Sequence, residues 1–202
     1  MRIKLGDGMI YQLTECVMKL AMLNILWIFF FIIGFGVFGL FPATIALFSV
    51  ARKWIKRESS GSLFNSFWSV YKLEFIRGNL FGLFFMVMGY VLYVDVRFFR
   101  AEESFIMLSF SIILLCVYAI VLLYFFPVYV HYDLKFLQYL KQSLFISVIY
   151  PLRTLLMGLG MTGVGSLLVF FPGLIPFFSI SLVALVLMYI SNTTFMKLEE
   201  MK

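Results

Sequence analysis

Four long stretches without a charged residue constrain what this chain can fold into. No Asp, Glu, Lys or Arg occurs at positions 20–51, 78–94, 104–132 or 154–196 of the 202 residues. A helix needs about 20 apolar residues to cross the hydrocarbon core of a bilayer, and each stretch reaches or approaches that length. The sequence therefore predicts an all-α, multi-pass transmembrane helical bundle, with residues 1–202 forming a single integral membrane domain.

The composition excludes several other classes of protein. Hydrophobic residues make up 63% of the chain and charged residues 13%, whereas soluble domains average about 45–50% and about 25%. So few charged side chains cannot cover the surface of a soluble globule. A soluble enzyme, a nucleic-acid-binding domain and a disordered tail are thereby excluded.

Four spans follow directly from the charge-free stretches. They cover about 78–96, 105–130, 150–171 and 174–195. The last two share one stretch of 43 residues, which is too long for one helix. Pro172 and Pro176 divide it, because proline interrupts a helix.

The first charge-free stretch allows two arrangements. Residues 19–40 form an N-terminal span whose end is loosened by Gly34, Gly36 and Gly39, and Pro42 can start a new helix at its first turn. Only ten uncharged residues then remain before a basic cluster, so 42–57 is either a short return helix or a segment along the far surface. The total is five or six membrane helices.

The basic residues favour the short return helix. Lys and Arg concentrate on the cytoplasmic side of membrane proteins. With a return, fourteen of the sixteen basic residues lie on one side, and without it at most eleven do. We therefore predict a cell-membrane protein with both termini in the cytoplasm.

Residues 63–77 predict an amphipathic interfacial helix between the 42–57 segment and the span at about 78–96. Its aromatic residues recur at helical spacing and form one stripe, which consists of Phe64, Phe67, Trp68, Tyr71 and Phe75. Such a stripe beside basic residues is typical of a helix that lies among lipid headgroups or closes the bundle. The alternative is a helix that docks a partner subunit through its aromatic anchors.

A few residues within the spans are candidates for structural or site-lining positions: Asn24, Trp27, Pro42, Thr44 and Pro172. The Asn24 amide is expected to form an interhelical hydrogen bond. Thr44 is expected to donate its hydroxyl to a carbonyl freed by Pro42. The alternative is that these residues line a small site.

No pattern in the chain indicates catalysis. Ionisable groups at membrane depth mark functional sites, and the predicted spans contain essentially none. The lone His131 is expected at an interface rather than on a metal, because metal sites need further ligands at fixed spacing. We expect no enzymatic activity, no cofactor, no metal site and no nucleic-acid partner. The net charge of +6 is explained by basic residues that contact anionic lipid headgroups of the bilayer.

Two strips of small residues favour close approach of helices. Gly78 and Gly82 form a GxxxG pattern, and Gly158, Thr162 and Ser166 lie four residues apart on one face. Such strips let helix backbones come close together in membranes. We expect both to fix packing within the chain rather than to drive a dimer.

The order of segments resembles a known family of small bacterial membrane proteins, the YesL family. The matching strings are Asn24-Ile25-Leu26-Trp27, Phe41-Pro42-Ala43-Thr44-Ile45-Ala46-Leu47, Phe67-Trp68, Tyr71-Lys72 and Phe75. The family is a domain of unknown function, so the resemblance implies no catalytic residue. It implies a genomic context beside carbohydrate ABC-transporter permeases.

That context gives a functional hypothesis: a non-enzymatic accessory partner of a carbohydrate ABC-type uptake system that contacts its permease subunits. One alternative is a small solute transporter or channel, because broken helices such as those at Pro42 and Pro172 bind substrate in transporters. A second alternative is a membrane-embedded regulator or sensor.

Overall fold

The computed structural model describes residues 5–58 and 61–200, and the side chains of 14–58 and 61–199. This part of the chain is all-α. Its helices are α1 (Leu5–Ile33), α2 (Val37–Ile55), α3 (Leu63–Leu73), α4 (Phe75–Ala101), α5 (Phe105–His131), α6 (Phe136–Ile149), α7 (Pro151–Phe170) and α8 (Ile175–Glu200). A 3₁₀ turn over Pro172–Leu174 joins the last two.

Six helices are long and apolar enough to cross a membrane: α1, α2, α4, α5, α7 and α8. The predicted multi-pass bundle is thereby confirmed. The first and last spans meet α2 and α5 at one end, where the Lys19 ammonium lies 5.6 Å from the Trp54 ring and His131 lies 3.1 Å from Glu199. We call this the basic end, because the last turn of α2 also brings Arg52 there.

The spanning helices form three consecutive hairpins, and a short helix links each hairpin to the next. α3 packs along α2, and α6 packs along α5. The sequence analysis assigned no helix to 136–149. The residues of α6 that are buried recur at i, i+4, i+7 and i+8. This helical spacing is the sequence signal for α6, and its members are Tyr139, Ser143, Ile146 and Ser147.

The first hairpin turns earlier than predicted. The sequence placed a short return helix after Pro42, but α2 begins at Val37 and has 19 residues, with Pro42 inside it. Gly36 has a φ of 73°, which glycine adopts without steric cost. A Cβ on Gly34 would clash with the Gly39 backbone. Because both residues are glycines, the end of α1 can approach the start of α2 closely.

The helix predicted over 63–77 is interrupted. α3 ends at Leu73, α4 begins at Phe75, and Glu74 between them has φ −93° and ψ 6°. The Tyr129 hydroxyl of α5 donates a hydrogen bond to Glu74 Oε2 at 2.5 Å. This tertiary contact holds the carboxylate at the junction, and local spacing does not encode it.

The α2 helix forms the centre of the bundle and is its most buried helix. It packs against α1, α3, α4, α5 and α8. Close approach of α4 depends on small residues, because a Cβ on Gly78 would lie 3.3 Å from the Pro42 nitrogen and one on Gly82 would lie 2.7 Å from the Phe41 ring. The GxxxG strip therefore serves packing within the chain.

Candidate functional site

The Asn24 side chain is fully buried and joins α1 to the first turns of α8. Its Nδ2 donates to the Pro176 carbonyl at 2.8 Å, and its Oδ1 accepts from the backbone N–H groups of Ile180 and Ser181 at 3.0 and 3.1 Å. One amide thus satisfies backbone groups of α8 that lie about one turn apart. Every strong hydrogen bond of Asn24 serves helix packing.

Trp27 and Thr44 meet at the interface of α1 and α2. The Trp27 indole N–H donates to Thr44 Oγ1 at 3.0 Å, and the Thr44 hydroxyl donates to the Leu40 carbonyl at 2.7 Å. The sequence prediction had the wrong acceptor, because the carbonyl freed by Pro42 is that of Phe38 and lies four residues before the proline. Thr44 bonds to its own i−4 carbonyl instead.

The aromatic stripe of α3 packs into the bundle around Phe30 of α1. The Phe67, Trp68 and Tyr71 rings lie 5.2, 5.3 and 4.8 Å from the Phe30 ring, measured between centroids. Burial raises the pKa of Tyr71, so its hydroxyl stays protonated and donates to the Phe30 carbonyl at 3.2 Å. The buried members of the stripe therefore hold α3 on α1.

Phe64, Trp68 and Phe75 leave about two fifths of their surface exposed, at 41%, 40% and 37%. Only this outer edge of the stripe is free for lipid or a partner.

The two predicted helix-breaking prolines lie in different surroundings: Pro42 is buried in α2, and Pro172 is exposed in the 3₁₀ turn.

An apolar cleft of about 750 Å³ lies between α5 and α7. These two helices make few contacts with each other, and residues of α2 and α8 form the floor between them. Trp27 and Thr44 lie in its wall, whereas Asn24, Pro42 and Pro172 do not. The structure therefore brings together two of the five predicted lining positions.

The polar groups of the cleft wall are already satisfied within the protein. The Tyr118 hydroxyl donates to the Phe85 carbonyl at 2.9 Å, and Thr154 Oγ1 lies 3.0 Å from the Tyr124 hydroxyl. Trp27 and Thr44 bond to each other as described. Polar ligands such as sugars require free donors and acceptors, so the cleft fits an apolar occupant.

Most of the cleft wall was missed by the sequence analysis. The aliphatic residues that complete it include Leu122 and Leu123 of α5, Met161 of α7, and Ile180, Val183 and Leu187 of α8. Their only signal is hydrophobicity, which every span shares. Gly158 also lies in the wall, and the space around it is open, because a Cβ there would meet nothing within 4 Å.

The comparisons with known proteins agree with the sequence resemblance. Residues 20–96 match the family described as "Protein of unknown function, DUF624". No solved structure matches the chain.

Three proteins of Bacillus subtilis (strain 168) are similar over almost their whole length. The uncharacterized protein YteU is 37% identical over 96% of this chain and 88% of its own. The uncharacterized protein YesL is 36% identical over 91% of this chain and 88% of its own, and the uncharacterized protein YesV is 37% identical over 94% and 93%. This chain therefore belongs to the YesL-like DUF624 family of membrane proteins.

Proposed function

We propose that this protein is a non-enzymatic accessory subunit that binds a transmembrane helix of a partner in the cleft between α5 and α7. The expected partner is a permease subunit of a carbohydrate ABC-type uptake system in the cell membrane. The observation that carries the proposal is an apolar cleft of about 750 Å³ whose polar groups are already bonded within the chain.

A small-residue strip on α7 supports a helix as the occupant. Gly158 lies in the cleft wall, and Thr162 and Ser166 continue the same face with exposed side chains. Their hydroxyls donate to carbonyls of α7 itself. Strips of this kind let a second helix approach closely. The packing within the chain that the sequence predicted for this strip is wrong, because no helix of the described chain covers it at Gly158 and the other two residues are exposed.

A photocrosslinking residue tests where the partner binds. Placed at Met161, which lines the cleft, it should capture a permease subunit in native membranes. Placed at Leu159, which is 59% exposed and lies outside the cleft, it should capture lipid only. Equal capture at both positions would place the partner elsewhere.

Affinity purification tests whether the strip matters. Gly158→Leu should abolish co-purification of the permease, because its side chain fills the cleft. Gly163→Leu is the matched control, since a Cβ there also meets nothing within 4 Å but the residue lies outside the cleft wall. Recovery of the wild-type chain alone from several detergents would refute the proposal.

Reconstitution separates this proposal from the transporter alternative. The purified chain in liposomes should not move sugars or ions faster than empty liposomes. Transport above that background, reduced by Pro42→Ala, would favour a carrier instead.

A further inference from the structure

A second cavity of about 260 Å³ lies at the basic end, apart from the cleft. It sits where α2 ends, α3 meets α4, and α5 leads into α6. Charged and aromatic side chains dominate its lining, which includes Arg52, Glu74, Arg77, Tyr129, His131, Asp133 and Tyr139. This density of charge contrasts with the apolar spans that lead to it.

Two guanidinium groups of this cavity lack a carboxylate partner among the residues that the structure describes. Neither Arg52 nor Arg77 forms an ion pair within 4.0 Å of a carboxylate in the described part of the chain. Arg52 Nε is buried and has no hydrogen-bond partner within 5–58 and 61–200. A buried donor of this kind is costly unless a ligand completes it, and guanidinium groups match the oxygens of a phosphate.

The same cavity also offers acceptors. The His131 side chain is 4% exposed, and its Nε2 lies 3.1 Å from Glu199 Oε1, while Nδ1 is buried without a partner. When Nε2–H donates to this carboxylate, Nδ1 carries a free lone pair. The carboxylates of Glu74 and Asp133 add negative charge to the lining. A ligand that carries both a phosphate and an ammonium group would pair its phosphate with the guanidinium donors and its ammonium with these acceptors.

The position of the cavity favours a lipid over a soluble zwitterion. The charge-free stretch 104–132 ends just before Asp133, so the cavity lies where an apolar span gives way to polar residues. Apolar side chains within two residues of the lining residues in sequence are widely exposed: Leu73 is 77%, Ile76 is 82% and Leu137 is 71% exposed. Such surface suits acyl chains next to a bound headgroup.

We propose that this cavity binds the headgroup of a phosphatidylethanolamine-type lipid. Arg52 and Arg77 hold the phosphodiester, and His131 and Asp133 receive the primary ammonium. Tyr139 stays protonated, because burial raises its pKa, and its hydroxyl donates to the Tyr132 carbonyl, which holds the cavity wall in place.

Delipidated full-length protein in detergent provides the test, with thermal unfolding and native mass spectrometry as readouts. Phosphatidylethanolamine should bind and raise the unfolding temperature more than phosphatidylglycerol or phosphatidylcholine do. Arg52→Gln and Arg77→Gln should each weaken its binding about tenfold, as expected for loss of a charged hydrogen bond. Arg100→Gln, in an exposed position of the last turn of α4, is the matched control.

Asp133→Asn keeps the test decisive if the arginine variants fold poorly, because Asp133 is exposed. It should weaken phosphatidylethanolamine binding and leave phosphatidylglycerol binding unchanged. Equal binding of the two lipids to the wild type would overturn the zwitterionic headgroup. Soluble phosphoethanolamine that binds as tightly as the lipid would overturn the membrane source, and unchanged binding in all three variants would overturn the cavity.

Discussion

Replacing Asn24 by leucine should detach the start of α8 from α1. The substitution keeps a side chain of similar size but removes the amide. It breaks three hydrogen bonds of 3.1 Å or less, to the Pro176 carbonyl and to the N–H groups of Ile180 and Ser181. Since Asn24 is fully buried, water cannot replace them.

The expected cost is about 2 kcal/mol in the free energy of unfolding. Interhelical hydrogen bonds in membrane proteins average about 0.6 kcal/mol each, and three are lost. The cost stays at this level because the Ile180 N–H and the Pro176 carbonyl lie four residues apart within α8, the spacing of an intrahelical hydrogen bond, so neither is left without a partner. A wholly unsatisfied backbone group in lipid would cost several kcal/mol.

Equilibrium unfolding in mixed micelles with increasing SDS, followed by tryptophan fluorescence, measures this change. The ratio of folded to unfolded protein should fall about thirtyfold. Met22→Leu is the control, because Met22 lies on the same helix and is 42% exposed. A cysteine at Phe177 should also react faster with maleimide in Asn24→Leu, since the first turn of α8 is no longer tethered.

Two results would refute this reasoning. An unfolding free energy within 0.5 kcal/mol of the Met22→Leu control, where surface substitutions usually fall, would mean that the amide contributes packing alone. Destabilisation without faster labelling at Phe177 would mean that Asn24 acts on another contact than the start of α8.

Three further predictions concern the turn, α3 and topology. Gly39→Ala should destabilise the chain by about 2 kcal/mol, because its Cβ would lie 2.6 Å from an α1 carbonyl oxygen, whereas Gly163→Ala in open space should have little effect in the same SDS titration. Tyr71→Phe should cost about 1 kcal/mol through loss of its hydrogen bond to α1, and an unchanged midpoint would contradict the role given to the hydroxyl. In a cysteine-free background, Glu103→Cys should react with an impermeant maleimide on intact cells and Gly61→Cys only after permeabilisation. The reverse pattern would invert the predicted orientation.

The sequence alone determined the environment and the class of fold. The stretches without charge are long enough for spanning helices, and the energetic cost of charge in lipid leaves few other structures for such a chain. The family resemblance was also accessible, because its strings are local. The aromatic stripe at 63–77 likewise appeared in the residue spacing, since helical periodicity needs no tertiary partner.

Boundaries set by contacts between distant residues were not accessible in the same way. The first turn forms at Gly34 to Gly36 rather than at Pro42, because glycine contacts across the turn outweigh the local preference of proline for a helix start. The Glu74 carboxylate, at the break between α3 and α4, is held by Tyr129, which lies 55 residues later. The α6 helix lay in a segment whose charges indicated a loop.

The tertiary structure also decided which candidate residues belong together. The sequence proposed Asn24, Trp27 and Thr44 as structural or lining positions without separating these roles. In the fold, Asn24 hydrogen-bonds to the backbone of α8, whereas Trp27 and Thr44 lie in the cleft wall. Arg52 Nε and His131 Nδ1, which have no hydrogen-bond partner in the described part of the chain, share one cavity only because α2 and α5 meet at one end. Hydrophobic patterning marks which residues leave water, but only the packing of helices distant in sequence decides which polar atoms find partners.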